Sequence, residues 1–154
     1  MEDKIGVDKI RKQYAFELNS LSEKGTFMIK PTYMQGIVGI RKKDNKPKYL
    51  LKIFIENHCA PKVYIISPKI RKKNGESPPH IYELHSKWNS KEQHYDTLRL
   101  CLYYPVNKEF VYGDMLMPTI ISWAIKWTEF YELWLLTGEW FGGGIHHDAK
   151  GKEE

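Results

Sequence analysis

A single cysteine lies at the centre of an apolar run and is the residue best suited to covalent chemistry. The run reads TLRLCLYYP, Thr97 to Pro105, with Cys101 in the middle. A cysteine thiolate is a strong nucleophile that forms covalent acyl intermediates. Unpaired cysteine is also among the most buried residue types in folded proteins. Cys101 is therefore either a nucleophile or an ordinary core residue.

The residues around Cys101 bear on that choice. Side chains alternate between the two faces of a strand, so a strand here places Leu98 and Leu100 on one face. Cys101 then lies on the other face, together with Arg99. The charge of Arg99 favours a thiolate wherever the two side chains approach each other. This pattern favours the nucleophile, and a buried structural cysteine stays open as the alternative.

Histidines are the residues that would assist such a nucleophile. A cysteine hydrolase needs a histidine base beside the sulfur and a group that orients the histidine. Three histidines upstream of Cys101 are candidates: His80, His85 and His94. The order of these residues along the chain does not decide the matter, because the order differs between folds.

Metal-ligating residue types occur at two other places without the spacing of a metal site. His146, His147 and Asp148 follow a glycine run, and they lack a second group of ligands at a suitable spacing. We expect a solvated tail there. His58 and Cys59 form an isolated pair, which is not a zinc pattern. The sequence predicts neither a metal nor a cofactor.

Composition limits the class of protein. The 154 residues are 42% hydrophobic and 28% charged, which is typical of one soluble globular domain. A net charge of +5 is too small to indicate a dedicated nucleic-acid binder, and the basic loop from Arg41 to Lys48 has no aromatic residue on which a base could stack. Two cysteines, no signal-like N-terminus and no long apolar span predict a cytoplasmic protein without membrane or direct nucleic-acid contact.

The elements that must position Cys101 begin with an amphipathic helix from Lys4 to Leu21. Its apolar positions recur at spacings of three and four: Val7, Ile10, Tyr14, Leu18 and Leu21. Four segments with strand character follow, TFMIKPTY, QGIVGIR, YLLKIFIEN and KVYIIS, and short connections predict an antiparallel meander. Asn74 and Gly75 then mark a turn.

A second helix is predicted from Pro118 to Thr137. Proline suits its first turn, and Gly138 suits its end. One face is apolar and rich in aromatic residues, which is more typical of a core than of a cofactor site: Ile120, Ala124, Trp127, Tyr131 and Trp134.

This order of elements resembles that of ubiquitin-conjugating E2 enzymes. The active-site segment of that family reads His-Pro-Asn-Ile-Tyr, then a short turn, then Ile-Cys-Leu. PPHIY, Pro78 to Tyr82, is similar to the first part, and LCL, with Cys101, is similar to the second. LCLYYP, the tryptophan-rich helix and GGGIHH further resemble the bacterial E2-like proteins of anti-phage cyclic-oligonucleotide signalling (CBASS) operons of the short type II form.

The resemblance implies a fold, an activity and a partner. It implies an α+β ubiquitin-conjugating-enzyme (UBC/E2) fold over residues 1–144, a four-stranded meander with N-terminal and C-terminal helices, followed by a tail over residues 145–154. It also implies that Cys101 forms a thioester with the C-terminal glycine of a cyclic-oligonucleotide synthase (CD-NTase), which is thereby conjugated or primed. An inactive E2-variant-like module that holds the synthase is the main alternative, and a cysteine hydrolase is the other.

The chain departs from the E2 pattern at two points. His80 occupies the place of the asparagine in His-Pro-Asn, and Pro78 occupies that of the histidine. The asparagine is credited with stabilising the oxyanion that forms when an amine attacks the thioester, and a histidine ring can also donate a hydrogen bond. The segment from Glu83 to Leu100 is far longer than its eukaryotic counterpart, and we expect it to form a flap beside the thiol.

Overall fold

The computed structural model describes residues 4–104 and 107–142, which form an antiparallel six-stranded sheet and two α-helices. The elements are α1 (Lys4–Leu21), β1 (Met28–Ile29), β2 (Tyr33–Ile40), β3 (Tyr49–Glu56), β4 (Lys62–Ser67), β5 (Lys87–Asn89), β6 (His94–Arg99) and α2 (Ser122–Thr137). The strand order is β1-β2-β3-β4-β6-β5, and every neighbouring pair is antiparallel. The predicted α+β class is confirmed.

The sheet is larger than the predicted four-stranded meander. β1 to β4 follow one another as neighbours, but β6 pairs with β4, and β5 pairs with β6 at the edge. These two strands come from the segment that was expected to form a flap. That expectation is wrong because the segment folds back on itself as a hairpin that extends the sheet. In the hairpin the Trp88 and Tyr95 rings pack edge to face, with their centres 4.8 Å apart.

One face of the sheet carries the core. Side chains of β2 and β3 alternate between buried and half-buried positions, so each strand turns one set of residues inward. Both helices cover this face. α1 ends beside β2, where a Cβ on Gly36 would clash with the Ser22 hydroxyl unless that side chain moved, so glycine permits this close approach. α2 is joined to β3 by the Tyr49 hydroxyl, which donates to Glu132 Oε2 at 2.8 Å.

α1 has the bounds that its apolar spacing predicted. Tyr14 and Leu18 are fully buried, and Ile10 and Leu21 pack against the core. The Tyr14 hydroxyl donates to the Asp114 carbonyl and accepts from the Gly113 N–H, both at 2.8 Å. α1 therefore also holds the loop that leads from the candidate site to α2.

α2 begins after a π-helical turn, Met117–Ile121, that contains Pro118. It ends where Gly138 adopts a φ of 81°, a left-handed conformation that glycine takes without strain. The predicted apolar face is confirmed, since all five of its residues are buried: Ile120, Ala124, Trp127, Tyr131 and Trp134. In the described part of the chain, no helix is both long and apolar enough to cross a membrane.

Residues 143–154 lie outside the described ranges. The predicted boundary between the domain and its tail, at residues 144 and 145, falls there. So do His146, His147 and Asp148, which the sequence placed in a solvated tail.

Candidate active site

Two distant segments of the chain, residues 80–82 and 99–101, run side by side in antiparallel order. The Tyr82 N–H donates to the Arg99 carbonyl, and the Cys101 N–H donates to the His80 carbonyl, both at 3.0 Å. This register sets His80 opposite Cys101 and Tyr82 opposite Arg99. The PPHIY and LCL motifs are therefore adjacent in space despite the long segment between them.

The predicted strand through Cys101 is wrong beyond Arg99, where β6 ends. Leu100 makes only an isolated bridge to Ile81, and its N–H still reaches the Val63 carbonyl at 2.9 Å. Cys101 pairs with His80 instead of β4. The strand stops because the residues around Cys101 leave the sheet to follow the PPHIY segment.

Cys101 is buried in this corner, with 5% of its surface exposed. Its thiol donates to the Tyr103 carbonyl at an Sγ–O distance of 3.4 Å. Burial raises the pKa of the thiol above its ordinary value, and the Glu109 carboxylate adds to the rise. A hydrogen bond with the Tyr82 side chain, another with the Tyr103 backbone and the charge of Arg99 oppose it, in that order. The resting side chain is a protonated thiol at neutral pH.

Arg99 acts on the sulfur less directly than its position in the sequence suggested. Its guanidinium carbon lies 4.5 Å from the centre of the Tyr82 ring, a cation–π contact. Tyr82, 5% exposed, contacts Arg99 through its ring and Cys101 through a side-chain hydrogen bond. Tyr82 has no role that the sequence alone reveals, because the pairing of residues 80–82 with residues 99–101 leaves no signal in residue spacing.

His80 is held by its backbone as well as by its side chain. Its φ of 56° lies in the left-handed region, which histidine and asparagine tolerate better than most residues. Its carbonyl accepts from the Cys101 N–H and from the Trp127 indole N–H, the latter at 3.1 Å. Its ring lies 5.7 Å from that of Trp140. The position therefore demands an unusual backbone conformation in addition to any chemistry.

A cavity of about 350 Å³ opens beside the thiol. Its walls are largely aromatic and include Tyr103, Trp123, Trp127, Phe130 and Trp140. Four side chains with an amide, an imidazole or a charge also line it: His80, Asn107, Glu109 and Lys126. The cavity is bordered by both His80 and Cys101.

The other two candidate histidines, His85 and His94, do not line this cavity. The His85 ring is 6.4 Å from that of Tyr82, in the 3₁₀ turn Glu83–His85. His94 is on β6, with its Nδ1 atom 3.5 Å from Asp96 Oδ1. Among the three upstream candidates, His80 is the one that lines the cavity with Cys101.

A hydrogen-bonded triangle fixes the residue that follows Tyr82. The Ser77 hydroxyl and the Tyr95 hydroxyl each donate to a different oxygen of the Glu83 carboxylate, and the two hydroxyls are 2.7 Å apart. The Tyr95–Glu83 distance is 2.7 Å. Burial and the Glu83 carboxylate raise the pKa of Tyr95, so its phenol remains a donor. β6 is thus tied to both sides of the PPHIY motif.

Comparison with known proteins places the whole of this site within one family. No curated protein matches the chain in sequence. A model of the E2-CBASS family, described as type II CBASS E2 protein, matches residues 13–148. This span includes the sheet, residues 80–82 and 99–101, and α2. The chain belongs to the E2-CBASS family of type II CBASS E2 proteins.

Proposed function

We propose that this protein is an E2-like acyltransferase with a ubiquitin-conjugating-enzyme fold and that Cys101 is its nucleophile. The donor is the C-terminal glycine of the cyclic-oligonucleotide synthase that accompanies such proteins in CBASS. The protein takes this acyl group as a thioester and passes it to an amine. The synthase is thereby conjugated or primed, which strengthens anti-phage signalling.

The observation that carries the proposal is the pairing of residues 80–82 with residues 99–101. It brings Cys101, His80 and Tyr82 to one corner that borders the aromatic cavity. A thiol that borders a cavity is suited to accept an acyl group from a chain end that enters the cavity. The match of the family model to this region supports the same assignment.

The chemistry has two steps. In the first, the Cys101 sulfur attacks the carbonyl carbon of an activated carboxyl, a mixed anhydride or ester. The S–C bond forms, the leaving group departs with its electron pair, and the thiol proton passes to solvent. In the second, an amine nitrogen attacks the thioester carbon, the N–C bond forms, sulfur leaves as a thiolate, and the proton of the amine passes to solvent.

The test is coexpression of the protein with the synthase of its own operon, followed by acid quenching and electrophoresis with and without a thiol reagent. We expect an adduct whose early fraction is cleaved by the thiol reagent. A synthase without its terminal glycine serves as the matched control and should give no adduct. An adduct that forms equally with the shortened synthase would contradict the proposal.

His80 is proposed to support the attack of the amine, and two substitutions separate its side chain from its backbone. Glycine and asparagine both tolerate the φ of 56°, whereas alanine would add strain. We expect His80→Asn to discharge the thioester within several-fold of the wild-type rate. His80→Gly should be slower by roughly 10²-fold if the ring donates to the oxyanion. Equal discharge to free lysine by the wild-type and His80→Gly proteins would remove this role.

The burial of Cys101 favours a second candidate function, a module that binds the synthase without chemistry. A thiol with 5% of its surface exposed and a raised pKa is what such a module would retain. The two functions differ in one result, because a binding module would hold the synthase without any covalent adduct. A hydrolase would instead release free products at each turnover.

A further inference from the structure

Tyr82 makes a direct contact with the atom on which the proposed reaction depends. Its side chain is hydrogen-bonded to that of Cys101 and is itself almost fully buried. The register explains this reach. His80 lies opposite Cys101, so Tyr82, two residues further along, is the diagonal neighbour, and an aromatic side chain spans that distance.

Arg99 holds the Tyr82 ring from the opposite strand. Its guanidinium carbon is 4.5 Å from the ring centre. The Ser86 hydroxyl donates to the Tyr82 carbonyl and accepts from the Arg99 N–H, both at 2.9 Å, so the two backbones are fixed to each other. A cation over a phenol stabilises negative charge on its oxygen and makes the hydroxyl a stronger hydrogen-bond donor.

The residue after Tyr82 is also fixed. Glu83 accepts hydrogen bonds from Ser77, which directly precedes the PPHIY motif, and from Tyr95 on β6. The Tyr82 ring therefore has a defined position and does not need to be ordered when substrate arrives.

We propose that Tyr82 is a catalytic residue whose hydroxyl donates a hydrogen bond to the Cys101 sulfur and stabilises the thiolate, with Arg99 as its positioning residue. The proposal rests on the proposed function. In the first step the bond favours the nucleophilic thiolate. In the second step the C–S bond breaks, the sulfur takes the electron pair, and the Tyr82 hydroxyl donates to that charge while the proton of the amine passes to solvent.

The groups around the sulfur explain why such a donor is needed. Burial disfavours the thiolate, and the Glu109 carboxylate disfavours it further. Arg99 favours it, and His80 and Lys126 line the cavity on which Cys101 opens. Of the groups that oppose the effect of burial, the hydrogen bond with Tyr82 is the largest. Its loss should therefore change the ionisation of the thiol.

The experiment measures the rate of iodoacetamide alkylation of Cys101 in the full chain between pH 6 and pH 10, without any partner. Tyr82→Phe removes the hydroxyl and keeps the ring. We expect it to slow alkylation about tenfold at pH 7.5 and to move the pH profile upward by about one unit. Cys59 is exposed and serves as the internal reference for each sample. Tyr33→Phe, on β2 and separated from β6 by β3 and β4, is the matched control.

Three further variants complete the test. Arg99→Lys should keep most of the alkylation rate of Cys101, and Arg99→Gln should lose part of it, because only lysine retains the charge. 3-Fluorotyrosine at position 82 has nearly the shape of tyrosine and a more acidic hydroxyl, so it should accelerate alkylation. Unchanged or faster alkylation in Tyr82→Phe, or no effect of the fluorine, overturns the proposal. The alkylation assay contains no synthase, so that outcome would overturn the role of Tyr82 alone. The proposed conjugation is tested separately, by coexpression with the synthase.

Discussion

Cys101→Ala is expected to abolish the covalent adduct with the synthase, by about 10³-fold or more, while the protein still folds. The loss is large because no other group can replace the nucleophile in acyl transfer. Cys101→Ser keeps a hydroxyl at the same place, and this weak nucleophile should give a slow ester that thiol reagents do not cleave. The measurement is the yield of adduct on electrophoresis after coexpression.

The second cysteine provides the control for this result. Cys59 lies in the turn after β3 and is exposed, whereas Cys101 is buried. Cys59→Ala should therefore form the adduct at the wild-type rate. Adduct formation by Cys101→Ala, or its loss in Cys59→Ala with Cys101 intact, would contradict the assignment of the nucleophile.

Trp127→Ala is expected to lower the free energy of unfolding by about 3–5 kcal/mol, the usual cost of removing a large aromatic side chain from a core. The Trp127 side chain is 3% exposed and stacks on Tyr131 at 5.3 Å. It also contacts Trp140 and donates its indole N–H to the His80 carbonyl. This loss is a large part of the stability of a domain of ordinary size, and urea denaturation measures it.

A milder substitution separates the packing of Trp127 from its hydrogen bond. Trp127→Phe keeps an aromatic ring but removes the indole N–H that donates to the His80 carbonyl. The Cys101 N–H still donates to that carbonyl. Trp134→Phe, on the same face of α2 and also buried, is the matched control. We expect Trp127→Phe to cost about 1 kcal/mol more than Trp134→Phe and to slow adduct formation. Equal effects of both would show that the bond to His80 does not hold the site.

The helices were predictable because their spacing repeats over many residues. α1 has the predicted bounds, and the apolar face of α2 is the one inferred from Ile120 to Trp134. The turn at Asn74 and Gly75 was equally clear, since both residues adopt positive φ angles. In each case a local preference of the chain agrees with the final fold.

The segment between the two motifs could not be predicted in the same way. Its hairpin contains register shifts between Lys87 and Trp88, and its pairing changes again before residues 80–82 meet residues 99–101. Irregularities of this kind leave no periodic signal in the sequence. The proximity of the two motifs to each other was therefore implied by the resemblance, and the position of Tyr82 against the sulfur was not anticipated.

The burial of Cys101 reverses one argument from the sequence. The alternation of the run placed the thiol away from the leucines, beside the charge of Arg99. In the structure the thiol is buried, its pKa is raised, and Arg99 lies on the Tyr82 ring. A nucleophile in this setting depends on hydrogen bonds that stabilise the thiolate more than on its exposure. Its neighbours Tyr82 and His80 are therefore the residues whose substitution tests the chemistry.

The most direct test of the account is to locate the bond between the synthase and this protein. Wild-type protein coexpressed with the synthase is quenched in acid without a thiol reagent, digested, and sequenced by tandem mass spectrometry. We predict that the C-terminal glycine of the synthase is joined to the Cys101 sulfur and that a thiol reagent releases it. Unmodified Cys101 throughout the reaction, with the glycine joined directly to another residue, would contradict it.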